Sequence, residues 1–219
     1  MSTLLEPPRE KQSQSEGAEP RSCKGTPTWE IARLFPRQGE WTEREYLALD
    51  TNQLVEFTHG TLEFLPMVTP QHQDIVLYLH GELSRHVKGR HPGRTYVAPL
   101  RVRIAPKVYR EPDIVYVLPE RIVDRRQPVE SADLVMEVVS PGSEAAWRDR
   151  EAKRGDYAAA GIKEYWIVDP ETRTISVLVL EGTAYRTHGE FQDGTRAASV
   201  LLPGFEVDVK AVFDAGEGK

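Results

Sequence analysis

Apolar residues recur every four positions between residues 69 and 91, and this period predicts a long amphipathic helix. The apolar stripe consists of Ile75, Leu79 and Leu83. A second helix is predicted over residues 143–160, because Ser143 is a favoured N-cap and Gly161 a favoured stop. A short third helix is predicted over residues 43–50, after a Thr-x-x-Glu capping box.

Runs that alternate apolar and polar residues, or that are apolar throughout, predict strands. These runs are residues 54–66, a hairpin, and residues 94–106, 113–118, 133–140, 164–170, 174–181 and 184–189. The run 133–140 is apolar on both faces, so we expect it at the centre of a sheet. Strand, helix and strand over residues 134–168 predict a right-handed crossover. The predicted class is therefore mixed α/β, with a helix on each face of a central sheet.

The composition is that of a globular protein: 39% of the 219 residues are hydrophobic and 28% are charged. Residues 1–28 are polar and lack a hydrophobic period, which predicts a disordered tail before one domain at 29–215. We expect a cytoplasmic protein that does not cross membranes, since no apolar run reaches the length of a membrane span. The net charge of −6 argues against a protein coated in basic side chains for nucleic acid.

Two acids in apolar surroundings are the candidates for chemistry. Asp113 opens one predicted strand, and Glu137 interrupts the apolar run of another, on the same face as Val135. A carboxylate among apolar neighbours needs a cation or acquires a raised pKa. If the two strands are adjacent, their oxygens form a site suited to Mg²⁺ or Mn²⁺. The alternative is a solvated Asp113 and a Glu137 paired with a nearby Arg or Lys.

The helix that follows Glu137 carries a polar stripe at helical spacing. The stripe consists of Asp149, Lys153, Asp156 and Tyr157. Such a stripe is usually a solvated helix face, but this helix follows the Glu137 strand directly. Its inner edge could therefore bring the Lys153 ammonium over the carboxylates, where it would stabilise negative charge on a phosphate.

Several ordered motifs resemble the Uma2 family, also called DUF820, of the PD-(D/E)XK nuclease superfamily. The motifs are "LVEFTHGTLEFLPMVTPQHQ", "EPDIVYV", "LVMEVVSPGS" and "RDREAKRGDYAAAGIKEYWIVDP", and the resemblance covers roughly residues 40–210. It implies a restriction-endonuclease-like fold with a mixed central sheet. It also implies that Asp113, Glu137 and the backbone carbonyl of Val138 bind Mg²⁺.

One position departs from the superfamily pattern. Lysine usually stands two residues after the strand acid, and here that residue is Val139. The resemblance assigns the ammonium to Lys153 instead. Asp149, on the same helical stripe, is a candidate for orienting Lys153. Further resemblance-based candidates are Glu56, for the acid cluster or simply a strand-edge charge, and His72, for phosphate or the metal site or a structural role. Tyr157 is a candidate for substrate contact or for core packing.

The most basic stretch of the chain is residues 85–94. Its cations are Arg85, Lys88, Arg90 and Arg94. They would track a phosphate backbone, or simply complement the negative end of a helix.

Together the residues and the resemblance predict a metal-dependent endonuclease that hydrolyses phosphodiester bonds of DNA, with DNA and the nuclease class taken by analogy. The alternative is a catalytically inactive nuclease-fold binding or regulatory module, which the net charge and Val139 favour. A hydrolase built on Ser140 or Ser143 ranks last, since no Gly-x-Ser-x-Gly elbow is present. A homodimer is expected for cutting both strands of a duplex.

Overall fold

The computed structural model describes residues 35–51, 53–140 and 144–218, with side chains for all of these except 144–151. The described residues from Gln38 onward belong to one compact unit. The predicted tail at 1–28 lies outside the described residues, so the boundary at residue 29 stays a prediction. Each helix in the described part of the chain is too short or too polar to cross a membrane.

Helices and strands are interspersed along the chain, as expected for a mixed α/β fold. The helices are α1 (Glu43–Leu47), α2 (Pro70–Val87), α3 (Glu144–Ala159) and α4 (Val209–Gly216), with a 3₁₀ turn at Pro119–Arg121. The strands are β1 (Val55–Thr58), β2 (Thr61–Phe64), β3 (Arg94–Val97), β4 (Val102–Ala105), β5 (Val108–Arg110), β6 (Ile114–Val117), β7 (Val129–Glu130), β8 (Leu134–Val138), β9 (Glu164–Asp169), β10 (Thr174–Glu181), β11 (Ala184–Gln192), β12 (Arg196–Ala198) and β13 (Glu206–Asp208).

The central sheet has six strands in the order β11-β10-β9-β8-β6-β3. β8 runs parallel to β9 and antiparallel to β6, so the sheet is mixed. The prediction that the strand carrying Glu137 lies inside the sheet is confirmed. The predicted strand–helix–strand crossover is the β8-α3-β9 unit.

A second sheet, in the order β2-β1-β5-β4-β7, was not predicted. The single strand predicted over residues 94–106 was wrong: β3 belongs to the central sheet and β4 to the second sheet. The run is divided at Pro99, which has no N–H to donate to a strand ladder. The short strands β5 and β7 and the C-terminal elements β12, β13 and α4 were also missed.

Each face of the central sheet buries a separate apolar core. On one face, α2 and α4 pack through residues such as Leu79 and Phe213 against Met136 of β8. On the other face, α3 and the second sheet pack through Tyr157 and Val102, among others. Full burial of one such side chain contributes about 1.5–3 kcal/mol. The predicted helix on each face is confirmed, and β8 is covered from both sides.

Local capping agrees with the sequence pattern where the residues are described. The Thr42–Glu45 capping box at the start of α1 is confirmed. Gly161 follows α3 with a φ of 71°, as expected for a helix stop. Ser143, the predicted cap of α3, lies outside the described residues.

The β1–β2 turn contains a glycine, Gly60, whose replacement tests how closely two backbone segments approach each other. Gly60 has a φ of 94°, and a Cβ there would lie 2.5 Å from the carbonyl oxygen of Gly39. Gly182, in the β10–β11 turn, has a φ of 63°, and a Cβ there would meet no described atom within 4 Å. We expect Gly182→Ala to lower the free energy of unfolding by about 1–2 kcal/mol, the cost of the left-handed backbone alone. Gly60→Ala should cost about 1–3 kcal/mol more, because it adds an overlap with backbone. Urea denaturation measures both, and equal losses would contradict the proposed overlap.

Candidate active site

Asp113 and Glu137 meet where β6 begins and β8 ends. Asp113 directly precedes β6, whose first residue, Ile114, pairs with Met136 of β8. Asp113 Oδ2 accepts a hydrogen bond of 2.8 Å from the backbone N–H of Val138. The carboxylate therefore satisfies a backbone donor at the end of the neighbouring strand, and it is buried.

Glu137 points toward α3, on the opposite face from Met136 and Val138. Its Oε1 accepts a hydrogen bond of 2.6 Å from the Tyr157 hydroxyl and lies 3.3 Å from Lys153 Nζ. Burial raises the pKa of Glu137 to about 7, since the opposing effect of Lys153 is smaller and Asp113 raises the pKa further. The Glu137 side chain is 13% exposed, and its carboxyl favours the protonated form more than a carboxyl in water does.

Lys153 reaches the acids from α3 and is 6% exposed. Its Nζ lies 3.6 Å from Oε1 of Glu56, in addition to its contact with Glu137. Glu56 stands on β1 of the second sheet, so the ammonium lies between a carboxylate of each sheet. The ammonium is therefore contacted by two carboxylates that are each carried by a strand.

Arg110 of β5 is the site residue that the sequence analysis missed. Its Nε lies 3.5 Å from Glu56 Oε2, and its terminal nitrogen lies 2.6 Å from Asp156 Oδ2 on α3. It also donates a hydrogen bond of 2.8 Å to Thr58 Oγ1. The only sequence signal was a cation three residues before Asp113. Arg110 therefore links the second sheet to α3 at Asp156, which lies about one helical turn from Lys153.

His72 lies on the other side of Asp113, in the first turn of α2. The Thr69 side chain caps this turn by accepting a hydrogen bond from the His72 N–H. The ring Nε2 is 3.2 Å from Asp113 Oδ2 and 3.1 Å from the Val138 carbonyl oxygen. Both neighbours are acceptors, so Nε2 carries a proton. Burial lowers the pKa of His72, but the hydrogen bond and charge of Asp113 outweigh it, and the pKa is raised overall.

Other predicted site residues differ in how close they lie to these acids. Tyr157 is buried in the core, and its hydroxyl contacts Glu137. Its predicted contact with substrate stays a prediction. The side chain of Asp149 lies outside the described residues.

The basic stretch begins with Arg85, which pairs with Glu82 at 2.6 Å. It lies thirteen residues beyond His72 on α2, about 20 Å along the helix axis, and so is remote from the acids.

The oxygen donors fit a hard divalent cation. In the described part of the chain, no three His, Cys, Asp or Glu side chains are grouped as a metal site. Asp113 accepts from the Val138 N–H and lies close enough to Glu137 to raise its pKa, so two carboxylates and the Val138 carbonyl lie at the same end of β8. Mg²⁺ and Mn²⁺ accept such a mixed set of carboxylate and carbonyl oxygens and complete it with water.

The raised pKa of Glu137 has a consequence for stability. Between the unfolded value of 4.5 and the folded value of about 7, the folded state binds a proton that the unfolded state does not. The free energy of unfolding therefore falls as pH rises through this window. Glu137→Gln removes this titration. We expect the free energy of unfolding of the variant minus that of the wild type to be larger at pH 8 than at pH 5, by up to a few kcal/mol. Urea denaturation in EDTA measures this difference, and a difference independent of pH would contradict it.

Comparisons with known proteins agree with this architecture. Residues 43–210 match the family model of Uma2, described as "Putative restriction endonuclease". The fold is similar to the crystal structure of a "putative nuclease belonging to DUF820" from Anabaena variabilis ATCC 29413, with a TM-score of 0.65 and 19% sequence identity over 83% of this chain and 99% of that one. A search of curated proteins gave no match. Since the family match spans most of the chain, the protein belongs to the Uma2 family.

Proposed function

We propose that this protein is a divalent-metal-dependent endonuclease that hydrolyses phosphodiester bonds, with DNA as the expected substrate. The observation that carries the proposal is the buried contact of 3.3 Å between Lys153 Nζ and Glu137 Oε1, beside an Asp113 tied to Val138. Carboxylates next to an ammonium are the groups that phosphoryl transfer to water requires. Membership of Uma2 supports the nuclease class.

Asp113, Glu137 and the Val138 carbonyl would hold the Mg²⁺ or Mn²⁺ ion. When bound, the ion lowers the pKa of a coordinated water and neutralises charge on the phosphate. Asp113 Oδ2 already accepts hydrogen bonds from Val138 N–H and His72, and these fix the carboxylate. The role proposed for His72 is therefore to orient Asp113 at the metal site.

Lys153 would stabilise the negative charge that develops on the phosphate as water attacks. Its ammonium needs no reorganisation to do so, because Glu56 and Glu137 already hold it in place. Tyr157 donates to Glu137 Oε1 and fixes the orientation of that carboxylate. Asp149 stays a candidate for orienting Lys153. If duplex DNA is the substrate, a homodimer would bring one such site to each strand.

The first test is cleavage of supercoiled plasmid and single-stranded DNA with Mg²⁺, Mn²⁺ or EDTA. We expect metal-dependent cleavage by the wild type and a loss of at least about 100-fold in Glu137→Ala and Lys153→Ala. Mn²⁺ binding, measured by calorimetry, should be lost in Glu137→Ala and retained in Lys153→Ala, because only Glu137 is a proposed ligand. Lys210→Ala removes an exposed ammonium that pairs with Asp214 and should cleave like the wild type.

The outcomes separate the two candidate functions. If only Glu137→Ala loses activity, the proposed metal site is supported and the proposed role of Lys153 is rejected. Binding of DNA by a wild type that cleaves neither substrate would contradict the enzyme and favour the binding module, which Val139 in place of the usual lysine also favours.

The Arg110 contacts predict a second effect. Arg110→Lys keeps the charge, but an ammonium cannot span Glu56 and Asp156 as a guanidinium does. Lys153 would then lose its fixed position, so we expect the single-turnover cleavage rate to fall about 10–100-fold, with Mn²⁺ affinity unchanged.

A matched control is available at a second multiply paired arginine, Arg173, in the turn between β9 and β10. Arg173 contacts the carboxylates of Asp193, Asp214 and Glu217 and is partly exposed. Arg173→Lys should leave the cleavage rate unchanged. A parallel fall in cleavage rate and Mn²⁺ affinity in Arg110→Lys would show general damage to the site instead of misplacement of Lys153.

A further inference from the structure

A groove of about 190 Å³ lies directly beside Asp113, one of the proposed catalytic acids. His72 and Asp113 line it, together with apolar side chains from three parts of the chain: residues 65–68 after β2, Val76 of α2, and Pro99. Most of its lining is therefore apolar, although it reaches one of the two acids. The groove is smaller than the roughly 300–1,000 Å³ of sites for drug-sized ligands, so it suits a single flat ring system.

The loop wall of the groove exposes apolar surface that the core does not use. Met67 is 79% exposed and Val68 is 38% exposed. Single exposed apolar residues are ordinary, but adjacent ones beside a buried carboxylate indicate a ligand surface. Gln73, on the same lining, adds a side-chain amide with one acceptor and two donors. This combination suits a nucleobase, which has apolar faces and a hydrogen-bonding edge.

We propose that the groove receives one unstacked base of the strand being cut, so that the substrate is single-stranded or locally unpaired nucleic acid. This inference rests on the proposed function, which places a phosphodiester at Asp113 and Glu137. The base attached to that phosphodiester is the substrate group that can reach a groove sharing Asp113. In an intact duplex both faces of the base are stacked, and extracting it costs a few kcal/mol. Unpaired strands avoid most of this cost.

The charges around the site favour the same substrate class. Lys153 and Arg110, the cations at the acids, are both buried and paired with carboxylates. Arg85, the first exposed cation of the basic stretch, lies about 20 Å away along α2. Arg94, the last, pairs with Val117, at the far end of β6 from Asp113. Contacts with the base would therefore supply binding energy that phosphate contacts near the site do not. Such contacts are tolerant of sequence, since every base has an apolar face.

The test uses the full chain in EDTA, which prevents metal-dependent cleavage, and a DNA oligonucleotide that contains 2-aminopurine. The fluorescence of this base rises when it leaves its stack. We expect the fluorescence to rise when the single-stranded probe binds and the affinity to fall about tenfold in Met67→Ala, because the base loses apolar contact. Met67→Trp should bind more tightly, because an aromatic face stacks on a base. Val123→Ala removes a side chain that is 81% exposed and lies outside the groove, and it should bind like the wild type.

Each result bears on the groove separately from hydrolysis. Equal affinities for wild type, Met67→Ala and Met67→Trp would overturn the inference, as would binding in which 2-aminopurine stays dark or no binding to the probe. A fluorescence rise that depends on Met67 in a protein that never cleaves would support the base site and reject the proposed hydrolysis. Metal-dependent cleavage without any effect of Met67 on binding would keep the hydrolase and reject the base site.

Discussion

The buried ammonium of Lys153 is the constraint on which the rest of the site depends. It contacts Glu56 of the second sheet and Glu137 of the central sheet. Lys153 itself stands on α3, which packs against both sheets. Removing one partner of a buried charge pair leaves an uncompensated charge, which costs about 3–5 kcal/mol. The two sheets and α3 therefore have to keep one relative arrangement for the charges to be paired. Arg110 reinforces this arrangement, because it binds Glu56 on one side and Asp156 of α3 on the other.

In the proposed function, the ammonium expected at position 139 would come from a different backbone element. A lysine there would share the strand face of Glu137, two residues away, and would need no tertiary contact to reach it. Val139 cannot fill that role, and the ammonium beside Glu137 comes from α3, sixteen residues later. Its position is consequently a property of the tertiary structure. The Tyr157–Glu137 hydrogen bond and the Arg110–Asp156 pair hold α3 close to the strand, which a lysine on β8 would not have required.

The sequence predicted the parts of this site that have a periodic or local signal. Glu137 interrupts an apolar strand, and Lys153 and Tyr157 follow at helical spacing, so each could be placed on a face before the structure was known. Arg110 could not be identified in this way, since its partner Asp156 is 46 residues away and no period connects them. The second sheet was missed for a similar reason. β5 and β7 are three and two residues long, too short for alternation to be read, and the chain passes from one sheet to the other at Pro99 within a single apolar run.

The charge balance around Glu137 connects the fold to the proposed chemistry. In the described part of the chain, two cations, Lys153 and Arg110, contact the carboxylates of Glu56, Glu137 and Asp156, so positive charge is in deficit. Burial raises the pKa of Glu137 by more than Lys153 lowers it, and Asp113 raises it further. A proton on Glu137 or a divalent cation at the oxygens would each relieve the same deficit, so the two compete for one site. Lys153 thus compensates Glu137 in part, and in the proposed function a metal ion would supply the remaining positive charge.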